Sequence, residues 1–203
     1  RLNKYAVQLL LARAELYRGN KEVALVAARN VIDAQTQWFP WVTREAVSSG
    51  RPDPDRVFYD EILWGLQNSK LSILHTSLFD GVNLSPEMML SPLGGQIDQM
   101  FENNRDDYRY EAYFRNRQII GGANYNIFEK FKITQDSTAG TIIPLLRVSE
   151  AFYIAAECEP NPSDGLAWLN QVLAHRGVQE LQDVNYLAST LEEEYIREFW
   201  RSE

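Results

Sequence analysis

This sequence predicts a mainly helical fold, in which hairpins of α-helix carry a large loop-rich insertion with a few short strands. Three observations support that prediction. Residues 1–35 and 144–203 repeat apolar side chains at the spacing of a single helix face. Glycine, asparagine or proline interrupts both stretches where helices should stop and turn. Residues 36–143 hold most of the prolines, glycines and aromatics, show weak periodicity, and are too long for a plain connection.

The first helix is marked by Leu2, Ala6, Leu9, Leu10, Ala12, Leu16 and Tyr17, and it stops at Gly19-Asn20. Val23, Ala24, Ala27, Ala28, Val31 and Ile32 resume the period, so residues 1–35 read as an antiparallel hairpin. Small residues at Ala12, Ala24 and Ala28 would let its helices approach closely. In the insertion, Val57-Phe58-Tyr59, Ile62-Leu63-Trp64, and Ile127-Phe128 with Phe131 read as short strands, and Ile97 to Phe101 as helix. Trp38 and Trp64 are expected in the core.

A second hairpin opens after Pro144, with Leu145, Val148, Phe152, Ala155 and Ala156 as its first stripe. Pro160 and Pro162 should end that helix, and Ser163 or Asp164 should cap the next. That helix buries Leu166, Leu169, Val172 and Leu173 and runs to Gly177. A last helix is expected after Ser189-Thr190, where Thr190 and Glu193 have capping-box spacing. Its face is Leu191, Tyr195, Phe199 and Trp200. The two hairpins should pack into one body, because neither apolar stripe can face water. The expected organisation is one domain over 1–203.

Composition excludes several functions. A net charge of −8 leaves no basic stripe for nucleic acid. It also disfavours adhesion of the folded surface to anionic lipid. No apolar run approaches the roughly 20 residues that a membrane span needs. Cys158 is the single cysteine, so no internal disulfide is possible. Arg1 opens inside a helical pattern and Glu203 closes one, so the chain reads as a piece of a longer protein. Any signal or lipid anchor would then lie outside it.

Residues 11–24, LARAELYRGNKEVA, resemble a degenerate tetratricopeptide repeat. Ala12 and Ala24 stand twelve apart with Gly19 at the turn, and Lys21 replaces the usual aromatic. The predicted class is therefore tetratricopeptide-like hairpins around an insertion. Later segments extend the likeness. Glu61-Ile62-Leu63-Trp64, Phe101 with Asp107-Tyr108-Arg109, and Pro144 through Glu157 occur in order. Trp168 to Gly177 and Glu192 to Phe199 follow them. Together they resemble the SusD/RagB family of outer-membrane nutrient-binding lipoproteins. The resemblance implies non-catalytic capture of glycan or another polymeric nutrient at the bacterial surface. It also implies a lipid anchor outside this segment and delivery to a SusC-like TonB-dependent transporter.

Most motif residues read as architecture. Arg147 and Glu150 have i,i+3 spacing, with Glu157 two turns on, which suggests ion pairing within the helical scaffold. Asp107 and Arg109 should fix a turn. His75 and His175 are the only histidines, and neither has metal-ligand spacing to a second His or Cys. No metal or cofactor is expected. His175 should face solvent.

No phosphate loop or nucleophile elbow is present. Two competing functions are a tetratricopeptide interaction scaffold and a glycosidase. The first should repeat about every 34 residues without a large insertion. The second needs two carboxyls about 5–10 Å apart, and Asp106-Asp107, Asp53/Asp55 and Glu192-Glu193-Glu194 are compositional candidates. Asp53-Pro54-Asp55 reads as a turn and the glutamate run as a charged first helical turn.

Sugar binding asks for aromatic faces beside amides, carboxylates or arginines. Gly121-Gly122-Ala123-Asn124-Tyr125-Asn126 sets an aromatic between two amides near Arg115 and Arg117. Phe79-Asp80-Gly81-Val82-Asn83 offers a similar mixture. The expected ligand residues are Tyr125, Asn124, Asn83, Arg117 and Trp41.

Overall fold

The structure is a computed structural model describing residues 2–48, 50–80, 83–85, 87–92, 95–102, 104–118, 124–133 and 141–199. The chain divides into two compact units. The first comprises Arg1–Val42, Asp60–Leu66 and Pro144–Glu203, and the second Thr43–Tyr59 and Gln67–Ile143.

In the first unit, helix α1 (Lys4–Tyr17) begins where the Asn3 side chain accepts from the amides of Tyr5 and Ala6. Gly19 takes φ +78°, a left-handed conformation that suits glycine, and the chain reverses into α2 (Lys21–Ile32). A short α3 (Gln35–Trp38) follows. Strand β1 (Ile62–Gln67) pairs with β4 (Ile142–Arg147), which leads directly into α8 (Val148–Cys158). Helix α8 is buried at every position but Glu157. It packs against α2 on one side and against α9 (Pro162–Ala174) on another, while α10 (Leu187–Phe199) packs on both α8 and α9. One apolar core therefore serves both hairpins, from Leu9, Ala28 and Val31 to Phe152, Leu169 and Val172.

Close approach is built into this core. A Cβ placed on Gly165 of α9 would sit 2.5 Å from the carbonyl oxygen of Ala156. Only glycine permits that contact.

The second unit contains α4 (Arg44–Val47), α5 (Leu71–Phe79), α6 (Gln96–Met100) and α7 (Tyr108–Tyr113). It also holds an antiparallel hairpin of β2 (Phe114–Gln118) and β3 (Asn124–Phe128). Its interior is aromatic. Edge-on and tilted contacts link Phe58 to Tyr113, Tyr113 and Phe101 to Phe114, and Phe114 through Phe128 to Phe79 and Phe131, at centroid separations of 5.2–6.4 Å. Such contacts add about 0.5–1.5 kcal/mol per pair beyond the area they bury.

Several boundaries differ from the sequence prediction. Pro144–Arg147 is strand rather than the start of a helix, since proline forces extended backbone on its predecessor and donates no hydrogen bond. Pro162 opens α9 rather than ending α8, with Asn161 as the cap. Helix α10 begins at Leu187, ahead of the expected capping box. Val57-Phe58 is not strand, and Tyr59–Glu61 is a 3₁₀ turn. Tyr17 and Trp38, expected on buried faces, are 87% and 58% exposed. Trp64 is half-buried against the core. The expected contribution of Trp200 and the turn at Gly121-Gly122-Ala123 lie outside the described residues.

Candidate functional site

Helix α5 builds one wall of a cavity of about 300 Å³ in the second unit. Ser72, His75, Thr76 and Phe79 recur at three- and four-residue spacing, so the helix turns all four to one side. Asp80 and Asn83 extend this wall beyond the helix end. Ile127, Glu129, Lys132 and Ile133, from β3 and the residues after it, form the other.

His75 fastens the walls together. Its Nε2–H donates to the carbonyl of Phe128 at 2.8 Å, and a carbonyl acceptor fixes that tautomer. The ring is 6% exposed, and burial lowers its pKa below the ordinary value. The imidazole is therefore neutral at pH 7. Phe79 stands 5.2 Å from Phe128, centroid to centroid, and 5.6 Å from His75.

The polar groups are pre-positioned. The Asn83 amide donates to an Asp80 carboxylate oxygen at 2.5 Å, leaving its own carbonyl oxygen as an acceptor. Asn83 is exposed. Glu129 is 3% exposed and faces three cations, with Lys132 at 2.8 Å, Arg115 at 3.5 Å and Arg56 at 3.7 Å.

The β2–β3 register sets Arg117 opposite Tyr125 and Gln118 opposite Asn124. Tyr125 is half-buried and packs in a small apolar cluster with Leu84, Met89 and Ile127. Period-two alternation puts Tyr125 on the same face of β3 as Ile127, which lines the cavity. Ser91 ties its loop to this strand by donating to the carbonyl of Asn126 at 3.0 Å. Tyr125 and Asn83 thus belong to one neighbourhood, joined through Leu84. Arg117 and Asn124 occupy adjacent, non-opposed positions of the register at the same end of the hairpin.

Trp41 belongs to the first unit. Its ring stacks on His175 at 4.9 Å, packs on Phe152 at 5.0 Å and lies under the Arg176 guanidinium at 5.4 Å. His175 is exposed, as the sequence suggested.

The motif charges have architectural partners that differ from those their spacing suggests. Arg147 pairs with Glu198 at 3.3 Å, and Glu150 pairs with Arg13 at 2.5 Å. Arg176 bridges Glu61 at 2.5 Å and Glu198 at 2.8 Å, with all three side chains fully buried. Burial disfavours the cation, yet Glu198 and Glu61 hold the Arg176 pKa well above its ordinary value. Asp107 caps α7 and grips Arg109 through both carboxylate oxygens, at 3.0 and 2.7 Å. Asp106, its neighbour in the candidate carboxylate pair, is exposed and reaches Arg44 at 3.4 Å. Among the described residues no cluster of three His, Cys, Asp or Glu side chains has metal-binding geometry.

Sequence reasoning missed His75, which it weighed only as a metal ligand. The signal was the Ser72/His75/Thr76/Phe79 spacing, concealed because α5 also carries Ile73, Leu74 and Leu78 on its exposed side.

No protein-family model and no curated protein matches the chain. Solved structures do. A SusD-like carbohydrate binding protein from Bacteroides vulgatus is 19% identical with a TM-score of 0.70, covering 100% of this chain and 44% of that one. A SusD superfamily protein from Bacteroides thetaiotaomicron is 16% identical with a TM-score of 0.74, covering 98% and 47%. A surface glycan-binding protein A from Bacteroides uniformis is 15% identical with a TM-score of 0.65, covering 100% and 49%. The chain has the SusD-like fold, and it spans less than half the length of each of these proteins.

Proposed function

We propose that this protein binds glycan, or a related polymeric nutrient, at a bacterial cell surface without altering it chemically. Delivery to a SusC-like TonB-dependent transporter completes the proposal, with the protein anchored by lipid to the outward face of the outer membrane. The observation that carries the reading is the α5–β3 cavity. It combines an aromatic ring, hydroxyls, an amide and carboxylates in about 300 Å³. Sugars are recognised by that combination, their C–H faces lying on rings and their hydroxyls meeting planar polar groups. Two proteins of the same fold carry carbohydrate or glycan binding in their names, which supports the reading. No helix among the described residues is long and apolar enough to cross a membrane.

In this proposal Asn83 offers its carbonyl oxygen to a sugar hydroxyl, and Tyr125 presents the outer part of its half-buried ring. Asn124 and Arg117 remain candidates by their place in the hairpin, while Trp41, engaged in the first unit, stands outside the cavity. The chemistry is binding alone: the neutral His75 is committed to a backbone carbonyl, and Glu129 is committed to cations. Isothermal titration of Tyr125→Ala and Asn83→Ala against a cognate glycan tests the site. Each variant should lose about 1 kcal/mol, a severalfold weakening, with an unchanged melting temperature. Wild-type affinity in both variants would remove the cavity from the binding surface.

A further inference from the structure

Helix α8 packs against both α1 and α10, and the three line an open cavity of about 890 Å³ within the first unit. Leu16, Ile154, Ile196 and Phe199 give it apolar walls. Two polar groups on those walls have unmet hydrogen-bonding capacity.

Tyr195 is the first. Its ring lines the cavity, yet its phenol oxygen is closed to solvent and makes no hydrogen bond. Among the described residues it is the one buried side-chain polar atom without a partner, and buried hydroxyls ordinarily find one. Burial, and then the nearby Glu150 and Glu157, raise its pKa far above the ordinary value. The group therefore stays a hydroxyl and keeps its proton to donate.

Glu157 is the second. It is the one exposed position of α8, and its ionic contact, the Lys21 ammonium, stands 3.9 Å away, beyond hydrogen-bonding reach. A carboxylate can only accept. Arg13 and Glu150, on the same walls, are instead joined by two hydrogen bonds, at 2.5 and 2.7 Å.

An occupant must therefore accept from the phenol and donate to the Glu157 carboxylate. A hydroxyl-bearing ligand does both. An anion would meet Glu150 and Glu157 beside the phenol, and a carbonyl alone would leave Glu157 unanswered. Tyr17 shares a face of α1 with Arg13 and is 87% exposed, so it offers an open aromatic surface to the C–H face of a sugar ring.

We propose that this cavity is a second glycan subsite, taking a neutral sugar whose hydroxyls bond to Tyr195 and Glu157 while its ring lies on Tyr17. This rests on the glycan reading above and adds a site in the helical unit to the one between α5 and β3. The exposed side chains of Tyr17 and Ile196 swing to admit the sugar to the phenol. Exposed side chains change rotamer within nanoseconds, so the helices keep their packing.

Calorimetric titration with cellohexaose, maltoheptaose and mannohexaose tests the subsite, with tetragalacturonate as the anionic counterpart. A neutral oligosaccharide should bind, and Tyr195→Phe, which removes only the orphan oxygen, should weaken it about three- to tenfold. The melting temperature of that variant should equal or exceed the wild-type value, because the lost oxygen bonds to nothing in the free protein. A lower one would give the phenol a structural partner and overturn the proposal. Glu157→Ala should weaken binding at least about tenfold, and Tyr17→Ala about threefold. These losses should persist in a background carrying Asn83→Ala and Tyr125→Ala. Affinity unchanged in the Tyr195, Glu157 and Tyr17 variants would overturn the second subsite, and the glycan reading stands if Asn83→Ala or Tyr125→Ala reduces it. Tighter binding of tetragalacturonate than of the neutral sugars would overturn the assignment as well. Binding of none of the four overturns the subsite, and the glycan reading falls with it if polysaccharides also fail to retard the protein in native gels.

Discussion

Arg176 shows how a single side chain can organise the helical unit. It joins Glu61, 115 residues away, to Glu198, 22 residues away, without any contact with water. Replacing it with methionine would leave two buried carboxylates facing each other. Breaking a buried pair in this way costs about 3–5 kcal/mol, so Arg176→Met should lower the urea midpoint sharply. Arg176→Lys should recover little, because one ammonium cannot span two carboxylates as a planar fork does. His75 makes an opposite demand, since it must stay neutral. Its folded pKa lies below the ordinary value of 6.5, so the unfolded chain takes up its proton first as pH falls. Stability from this group is therefore present above pH 6.5 and lost as pH drops from there toward the folded pKa. His75→Gln should flatten that part of the pH dependence in urea unfolding measured from about pH 7.5 to about pH 5. None of these partnerships is legible in sequence. Spacing suggests Arg147 with Glu150, whereas the fold gives them Glu198 and Arg13, 51 and 137 residues distant.

Packing between elements turns on Gly165, where α9 meets the backbone of α8. In Gly165→Ala the new methyl group would press on the Ala156 carbonyl at 2.5 Å and on Leu187 at 3.2 Å. Overpacking against backbone costs about 1–3 kcal/mol, and calorimetry should register it as a lower melting temperature. Gly50→Ala is the matching control, because its nearest neighbour would be a Ser48 hydroxyl at 3.7 Å. The helical hairpins were readable because helices of 11 to 14 residues show several turns of a 3.6-residue period. Helices α5 and α7 and strand β2 were not, since nine, six and five residues are too few to display a period clearly. Strand β4 was misread for a related reason. The run Ile142-Ile143-Pro144-Leu145-Leu146 is apolar throughout, and periodicity cannot separate a buried strand from a buried helix over that length.

For the molecule as a whole, sequence located the helical scaffold and the loop-rich insertion but not the division within the insertion. Asp60–Leu66 returns to the helical unit because Leu63 joins its core and Glu61 is claimed by Arg176. The candidate site was legible as vocabulary, in Asn83 and in the Tyr125 loop. Its assembly depends on α5, whose face was concealed by the apolar Ile73, Leu74 and Leu78 on its exposed side. The helical unit is also discontinuous in the chain, and that has a consequence for biogenesis. Helix α2 ends at Ile32, while its packing partner α8 begins at Val148. A ribosome adding about 5–20 residues per second completes α8 on the order of ten seconds after α2. Throughout that interval the stripe of Leu25, Ala28 and Val31 has no native cover from α8, so the nascent protein passes through an obligatory sticky stage. The wait is written into the gene by the length of the insertion, and shortening the insertion would shorten the exposure in proportion.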